Sequence, residues 1–350
     1  MRWSMVGLPI GVVLGLLPIG TGTFQKLWLF PAVWLGLLLG MGGEIRTLRW
    51  HPKRALWDLV EAMAMGIGGA LVGGGLGLLG GGGNAWRYWL VLGMAGASAR
   101  VPQITPGRGG ALWGHTGNVM AWAALWALSG ALGLSIAIGV ALGILLELAC
   151  RMGLPLVGIY LMEKPVRPAQ AIRAAVGRGY SEALIASVGI GGILGGAFLC
   201  RKLGVDPLLV GGGAGLWWIN TTLRRHELLR WLRISRPWVE GWVLLVLGAL
   251  LVRRVSPETL MWGGIIGIGL CAGRVGGGAL ADFLFPFRVH PKLWLRRIPQ
   301  GPLALALAYQ GDARGEVLWG VVFAAGISLA FLFYRRGRFG TEVKQKKSVG

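Results

Sequence analysis

Apolar runs of near membrane-spanning length recur along the whole chain, and they limit its fold more than any other feature does. A transmembrane helix needs about 20 apolar residues, within a range of roughly 17 to 25. The sequence predicts an all-α integral membrane protein with about 12 transmembrane helices, some of them short or broken. We number these spans 1 to 12: residues 5–22, 27–42, 57–80, 88–104, 112–132, 134–150, 182–200, 205–222, 238–252, 259–285, 298–310 and 317–334.

The charged residues agree with a membrane protein in both number and distribution. They make up 14% of the chain, whereas a soluble domain has about 25%. The net charge of +21 would indicate nucleic-acid binding in a soluble protein, but cytoplasmic loops of membrane proteins also collect Lys and Arg. When each of the 35 Lys and Arg residues is assigned to its nearest loop or terminus, 28 fall in every second segment. This alternation predicts a multi-pass plasma-membrane protein with both termini in the cytoplasm and no nucleic-acid partner.

The segment between spans 6 and 7 divides the chain. Residues 163–180, EKPVRPAQAIRAAVGRGY, are polar and basic, as expected of a cytoplasmic linker. We expect one transmembrane domain over residues 1–335, with its first half at 1–150 and its second half at 181–335. Residues 336–350 are expected to form a basic cytoplasmic tail. The first apolar run lacks a small-residue cleavage site, so it is expected to be span 1 and not a signal peptide.

The two halves are predicted to contain inverted repeats. Given the charge alternation, span 2 runs inward and ends in GLLLGMGGEIRTLRW, whereas span 9 runs outward and ends in VLGALLVRRV. Each of spans 1–5 therefore pairs with the span numbered seven higher, one of spans 8–12, in the opposite orientation. Spans 6 and 7 are left as connectors. Inverted repeats of this kind place the functional site near the membrane midplane, between discontinuous helices.

One Pro-Gln pair occurs in each repeat at corresponding positions. Span 4 ends in GASARVPQITPGRGG and span 11 begins in RRIPQGPLALALA, so Pro102-Gln103 and Pro299-Gln300 are both followed by further proline and glycine. Proline breaks a helix because it removes a backbone donor, and exposed backbone at membrane depth must face protein or a water-filled cavity. The sequence thus predicts two broken, crossing helices. The alternative is that each pair only begins or ends an ordinary span.

The order of the motifs resembles one known family over nearly the whole chain. MGGEIRTLRWHPKRALWDLV resembles a "GLEID" helix end with its basic loop, and LGVDPLLVGGGAGLWWINTTLRRHELLRWLRISRPWVEGWVLLVLGALL is similar to a small-residue helix followed by a "PLFF" span. GLCAGRVGGGALADFLF before RRIPQGPLALALA looks like a glycine-rich span and a "PQGGLALAL" helix. The chain therefore resembles the monovalent cation:proton antiporters of the Kef potassium-efflux and bacterial sodium/proton exchanger type.

The resemblance implies a secondary transporter that exchanges a monovalent cation for a proton by alternating access. The family has a Ser-Ala-Thr-type unwound stretch in span 4 and an acidic pair in span 5. This chain keeps Ser98 but has Arg100 where a small residue is usual, and Gly117-Asn118 stands in place of the acidic pair. Asn118 cannot titrate, although its amide oxygen can coordinate a cation. The expected ion-binding residues are Ser98, Thr105, Asn118 and Gln300.

Other residues are candidates for the missing titrating group. His115 lies three residues before Asn118, hence on the same helix face, and histidine titrates near neutral pH. Glu147 in span 6 and Glu240 in span 9 are acids near apolar runs, with snorkelling or an ion pair as the alternative role for each. Arg274 inside span 10 needs a partner in the membrane, so we expect it in a functional or structural ion pair.

No other class of site stands out in the sequence. Cys150, Cys200 and Cys271 form no CxxC pair, so neither a metal site nor a disulfide framework is predicted, and no cofactor is expected. The expected partners are a monovalent cation, a proton and the lipid bilayer, with a homodimer left open. Two alternatives to transport remain: a transport-dead or uncoupled homologue that serves as a membrane scaffold or subunit, and a lipid-modifying enzyme. In that enzyme the base would be His115, Asp206 or Asp282.

Overall fold

The computed structural model describes residues 2–17, 21–41, 132–161, 180–284, 305–306, 309, 319–324 and 327. Over these residues the chain is all-helical, as predicted, and contains no strand. Helices α1 to α6 belong to one compact unit, and α7 belongs to a second compact unit. The helices are α1 (Arg2–Leu16), α2 (Thr21–Met41), α3 (Leu132–Leu161), α4 (Tyr180–Leu203), α5 (Pro207–Thr221), α6 (Arg225–Val252) and α7 (Pro257–Leu284).

Several of the described helices are suited to a bilayer. Four segments are both long enough and apolar enough to cross it: Gly22–Met41, Gly133–Gly153, Glu182–Leu203 and Arg225–Val252. α1 is a shorter apolar helix, and α5 has 15 residues. The protein is therefore membrane-embedded. Predicted spans 3, 4, 5, 11 and 12 lie wholly or mostly outside the described residues, so the count of 12 stays a prediction.

The start of α6 differs from the prediction. Span 9 was predicted to begin at Trp238, but the helix begins at Arg225 and continues through Pro237. Its first turns have many arginines and therefore resemble a loop in composition. The helical pattern is nevertheless present, because Leu228, Leu232 and Val239 are buried at helical spacing.

α5 is short because both of its ends are fixed by hydrogen bonds. At the first end the carboxylate Oδ1 of Asp206 accepts hydrogen bonds from the backbone N–H groups of Leu208 at 2.8 Å and Leu209 at 3.2 Å. Such a cap satisfies donors that have no partner within the helix. At the other end the N–H of Thr222 donates to the carbonyl of Trp218 at 3.0 Å.

Glycines bring α2 and α3 into direct contact with the backbone of α5. A Cβ atom on Gly211 would collide with the carbonyl oxygen of Val33 in α2, and one on Gly143 of α3 would lie 2.8 Å from the carbonyl oxygen of Ala214. Small residues allow helices in a membrane to approach this closely. α5 is thus held between two neighbours by backbone contact. The same relation holds for Gly36, Gly40, Gly139 and Gly215.

α1 and α6 form a second pair of the same kind. A Cβ atom on Gly7 would lie 2.6 Å from the carbonyl oxygen of Gly241, and one on Gly15 would lie 2.6 Å from that of Ala249. Gly11, midway between them, lies against the carbonyl of Leu245. The contact therefore repeats every four residues along both helices.

These contacts also give the direction of each helix. In α2 and α5 the contacting residue numbers increase together (33 with 211, 37 with 215), so these two helices are parallel. The same holds for α3 with α5 (139 with 210, 143 with 214) and for α1 with α6 (7 with 241, 15 with 249). In α3 and α4 one number increases as the other decreases (142 with 196, 146 with 192), so these helices are antiparallel. α6 turns back from α5 after the short segment 222–224. Hence α2, α3 and α5 run one way and α1, α4 and α6 the other. These are the relative directions that the charge alternation requires, while the side that faces the cytoplasm stays a prediction.

The second unit uses glycine in the same way. A Cβ atom on Gly263 of α7 would lie 2.6 Å from Cβ of Trp319, and one on Gly267 would lie 2.7 Å from Cβ of Phe323. The thiol of Cys271 donates to the carbonyl of Ala324 at 3.7 Å. α7 is therefore packed closely on the helical stretch 319–324.

Substituting a contact glycine should destabilise the fold, whereas substituting an open one should not. Gly211→Ala places a methyl group against the backbone of α2, and overpacking of this kind costs about 1–3 kcal/mol. Gly195→Ala in α4 is the matched control, because no heavy atom lies within 4 Å of its Cβ position and alanine favours a helix. Thermal unfolding in detergent should show a lower midpoint for Gly211→Ala only. Equal midpoints for the two variants would contradict the packing.

Removing the cap should destabilise α5. Asp206→Ala leaves the amides of Leu208 and Leu209 without their acceptor, and loss of an N-cap costs about 0.5–2 kcal/mol. Asp206→Asn keeps a capping oxygen and should unfold at nearly the wild-type temperature in the same assay. If the asparagine variant were as unstable as the alanine variant, the carboxylate would have a role beyond capping.

Candidate functional site

The described residues include only part of the predicted site. Ser98, Thr105, His115, Asn118 and Gln300 lie outside them. Arg274 falls within α7, and its side chain is also outside the described part of the chain. The two candidate proton carriers, Glu147 and Glu240, are both described in full.

Glu147 is a buried carboxylate with two different oxygen environments. Its side chain is 8% exposed, and Oε1 accepts a hydrogen bond at 2.7 Å from Nε of Arg151, whose side chain is 55% exposed. Oε2 is buried and has no hydrogen-bond partner among the described residues. Buried polar atoms are nearly always paired with protein or water, so the unpaired Oε2 distinguishes this carboxylate from the carboxylate of an ordinary ion pair.

The burial of Glu147 follows from the glycine contact between α3 and α5. Gly139 and Gly143 face α5, and Glu147 is one turn farther along the same face. The next residue on this face, Arg151, donates from Nη2 to the backbone carbonyl of Thr221 at 3.3 Å. Arg151 therefore connects the carboxylate of α3 to the last turn of α5.

Other charged groups lie close to this pair. Cys150 is within electrostatic reach of Glu147, Arg224 and Glu227, and Nη1 of Arg224 lies 3.4 Å from Oε2 of Glu227. We call Glu147, Cys150, Arg151, Arg224 and Glu227 the Glu147 cluster. It lies where α3 meets the junction between α5 and α6.

Glu240 has a simpler environment. Its Oε1 lies 2.7 Å from Nε of Arg236, with side-chain exposures of 16% and 22%. The two residues are one turn apart on α6, and Glu240 is in the interior of this helix, not near its start, because the helix begins at Arg225. Both carboxylates therefore form an ion pair with an arginine of their own helix. The sequence contained the signal, because Arg151 and Arg236 each lie four residues from their acidic partner.

A tryptophan cluster packs at the same end of the bundle. Trp231 of α6 stacks on Trp34 of α2 with ring centroids 6.4 Å apart, and it meets Trp218 of α5 at 6.3 Å. Tryptophans near the ends of membrane spans commonly anchor at the membrane interface. Trp218 instead is 1% exposed, so it forms part of the protein core and helps to fix α5 against α6.

Nothing in the described residues points to a metal or a cofactor. No group of three His, Cys, Asp or Glu side chains in that part of the chain could hold a metal ion. Cys150, Cys200 and Cys271 are free thiols. No family model and no curated protein matches this chain. The resemblance to cation:proton antiporters therefore stays a prediction from its motifs.

The Glu147–Arg151 pair should respond unequally to loss of its two members. Arg151→Gln leaves a buried carboxylate without its cation, and an unsatisfied buried group costs about 1–3 kcal/mol or more when charged. Glu147→Gln leaves an arginine that water already reaches, so its cost should be smaller. Removing both members should recover part of the stability lost in Arg151→Gln.

A double-mutant cycle of unfolding free energies in detergent measures this difference. Glu182 and Arg230 provide the control pair, because their atoms are also 2.7 Å apart but their side chains are 44% and 66% exposed. Exposed pairs contribute about 0–1 kcal/mol, so the control cycle should show little coupling. Equal effects of Arg151→Gln and Glu147→Gln would disagree with the burial of Glu147.

Proposed function

We propose that this protein is a secondary transporter of the plasma membrane that exchanges a monovalent cation for a proton by alternating access. The ion would bind where the broken spans 4 and 11 cross. Both termini would lie in the cytoplasm, which would place the Glu147 cluster on the cytoplasmic side. The proposed ligands are Ser98, Thr105, Asn118 and Gln300.

The observation that carries this proposal is a reciprocal pairing of helices. The inverted repeat pairs span 1 with span 8 and span 2 with span 9, which correspond to α1 with α5 and α2 with α6. A two-fold axis relating the repeats would exchange α1 with α5 and α2 with α6. It would therefore make the contact between α1 and α6 equivalent to the contact between α5 and α2. Both contacts occur, both are extensive, and both place glycines against carbonyl oxygens. Inverted repeats of this type are characteristic of secondary transporters.

The Glu147 cluster supports the proton-coupled part of the proposal. Antiport needs a group that accepts either a proton or a cation, and Gly117-Asn118 contains no such group. Glu147 offers a buried carboxylate with one oxygen held by Arg151 and the other without a hydrogen-bond partner among the described residues. Its location between α3 and α5 would couple its protonation to movement between helices. His115 and Glu240 are the remaining candidates for this role.

Reconstituted liposomes with an imposed pH gradient test the function. An internal pH dye should report dissipation of the gradient when sodium, potassium or lithium salts are added. Asn118→Ala and Gln300→Ala should each reduce the cation-dependent rate, because each removes a proposed ligand. Glu147→Gln should uncouple proton movement from cation addition, because glutamine cannot carry a proton.

Glu182→Gln is the matched control for the acidic variant. It changes the same side chain in an exposed ion pair and should transport like the wild type. Unchanged transport in both Asn118→Ala and Gln300→Ala would remove the proposed ion site. Normal proton movement in Glu147→Gln would transfer the proton-carrying role to His115 or Glu240.

A second candidate function rests on the same departure from the family. Because Gly117-Asn118 lacks a carboxylate, the chain could be a transport-dead scaffold or subunit. That proposal predicts no gradient dissipation from correctly folded protein and a stoichiometric partner in mild purification. The lipid-modifying enzyme has less support, since the carboxylate of Asp206, one of its candidate bases, caps α5.

A further inference from the structure

α6 is longer than a membrane requires. Its 28 residues extend about 42 Å at 1.5 Å per residue, whereas the hydrocarbon core of a bilayer is about 30 Å thick. All its charged residues lie between Arg225 and Glu240, and residues 241–252 have none. The apolar end must therefore occupy the hydrocarbon core, which places roughly the first two turns at the level of the lipid headgroups or beyond them.

One side of these first turns is fixed to the protein. Leu228 and Leu232 are 1% and 0% exposed, and Val239 is also fully buried. Arg230 on the opposite side binds Glu182 at the start of α4 with a distance of 2.7 Å. The segment is thus held as part of the bundle and presents a fixed outer surface.

That outer surface combines arginines with exposed apolar side chains. Ile234 is 61% exposed and Trp238 is 53% exposed, and both lie within five residues of the exposed Arg233. Tryptophan is enriched at the level of the headgroups, and basic residues near it attract anionic lipids. We call Arg230, Arg233, Ile234 and Trp238 the α6 outer face.

The guanidinium groups of α6 differ in their carboxylate partners. Arg236 is bound to Glu240, and Arg230 is bound to Glu182. Arg233 has no carboxylate within 4.0 Å among the residues that the structure describes. Its planar guanidinium can donate two parallel hydrogen bonds to a phosphate. The α6 outer face therefore offers an uncompensated cation next to apolar surface, which complements a phosphodiester joined to acyl chains.

We propose that the α6 outer face binds an anionic phospholipid. Arg233 contacts the phosphodiester, Arg230 with its partner Glu182 borders the site one turn away, and Ile234 and Trp238 contact the glycerol backbone and the upper acyl chains. The bound lipid lies in the leaflet next to the basic end of the bundle. This site is independent of the proposed transport function and would exist equally in a transporter or a scaffold.

Native mass spectrometry of the full-length protein in detergent tests this site. Dioleoyl phosphatidylglycerol and dioleoyl phosphatidylcholine are the two probes, titrated separately. The wild type should bind the first phosphatidylglycerol more tightly than phosphatidylcholine. Arg233→Gln should weaken that phosphatidylglycerol binding about fivefold, as expected for one basic residue near anionic lipid, and it should leave phosphatidylcholine binding unchanged. Arg233→Lys retains the charge and should lose less.

Arg201→Gln is the matched control, because Arg201 is an exposed arginine at the last turn of α4, at the opposite end of the bundle. It should bind phosphatidylglycerol like the wild type. The proposal is overturned if Arg233→Gln retains wild-type phosphatidylglycerol binding, or if it loses both lipids equally. It is also overturned if inorganic phosphate at the same concentration fully displaces phosphatidylglycerol, because the site would then recognise free phosphate and not a lipid.

Discussion

The architecture of the α1–α6 unit depends on direct contact between helix backbones. In lipid, apolar side chains gain little by leaving one hydrocarbon environment for another, so helices associate through close packing. Here the packing is carried by glycines, at which the carbonyl oxygen of one helix lies where a Cβ atom would be in its neighbour. This gives most of the glycines in the described helices a structural role. It also explains why α5, with only 15 residues, can be held by two neighbours at once.

The same contact creates the environment of Glu147. The glycine face of α3 continues from Gly143 to Glu147, so the carboxylate enters the helix interface one turn beyond the contact of Gly143 with Ala214. The close packing of α3 on α5 excludes solvent from the carboxylate of Glu147. It leaves Arg151 at the edge of the interface, where its guanidinium also donates to the carbonyl of Thr221. Packing and charge at this site therefore have one origin, and a change in the separation of α3 and α5 would alter both.

Much of the fold could be predicted from the sequence, because apolar length is a local property. α2, α3, α4 and α7 coincide with predicted spans, and the majority of their ends agree with the prediction to within several residues. The start of α6 could not be found from composition, since its arginines resemble a loop and only the buried Leu228 and Leu232 reveal the helix. The partners of Glu147 and Glu240 were readable from their spacing of four residues. The open Oε2 atom of Glu147 and the burial of Trp218 depend on which helices become neighbours, and no local pattern contains that information.

The parallel arrangement of α2, α3 and α5 has an electrostatic consequence. An α-helix carries a dipole equivalent to roughly half a negative charge at its C-terminal end, and neighbouring parallel helices add these charges at one side of the bundle. Gly40, in the last described turn of α2, lies against Leu216 in the second half of α5. Arg151, Arg224 and Arg225 occur at that end, and Arg151 donates directly to a terminal carbonyl of α5. Some of the positive charge at this end thus offsets the accumulated helix dipoles, in addition to any part it has in setting the orientation of the chain.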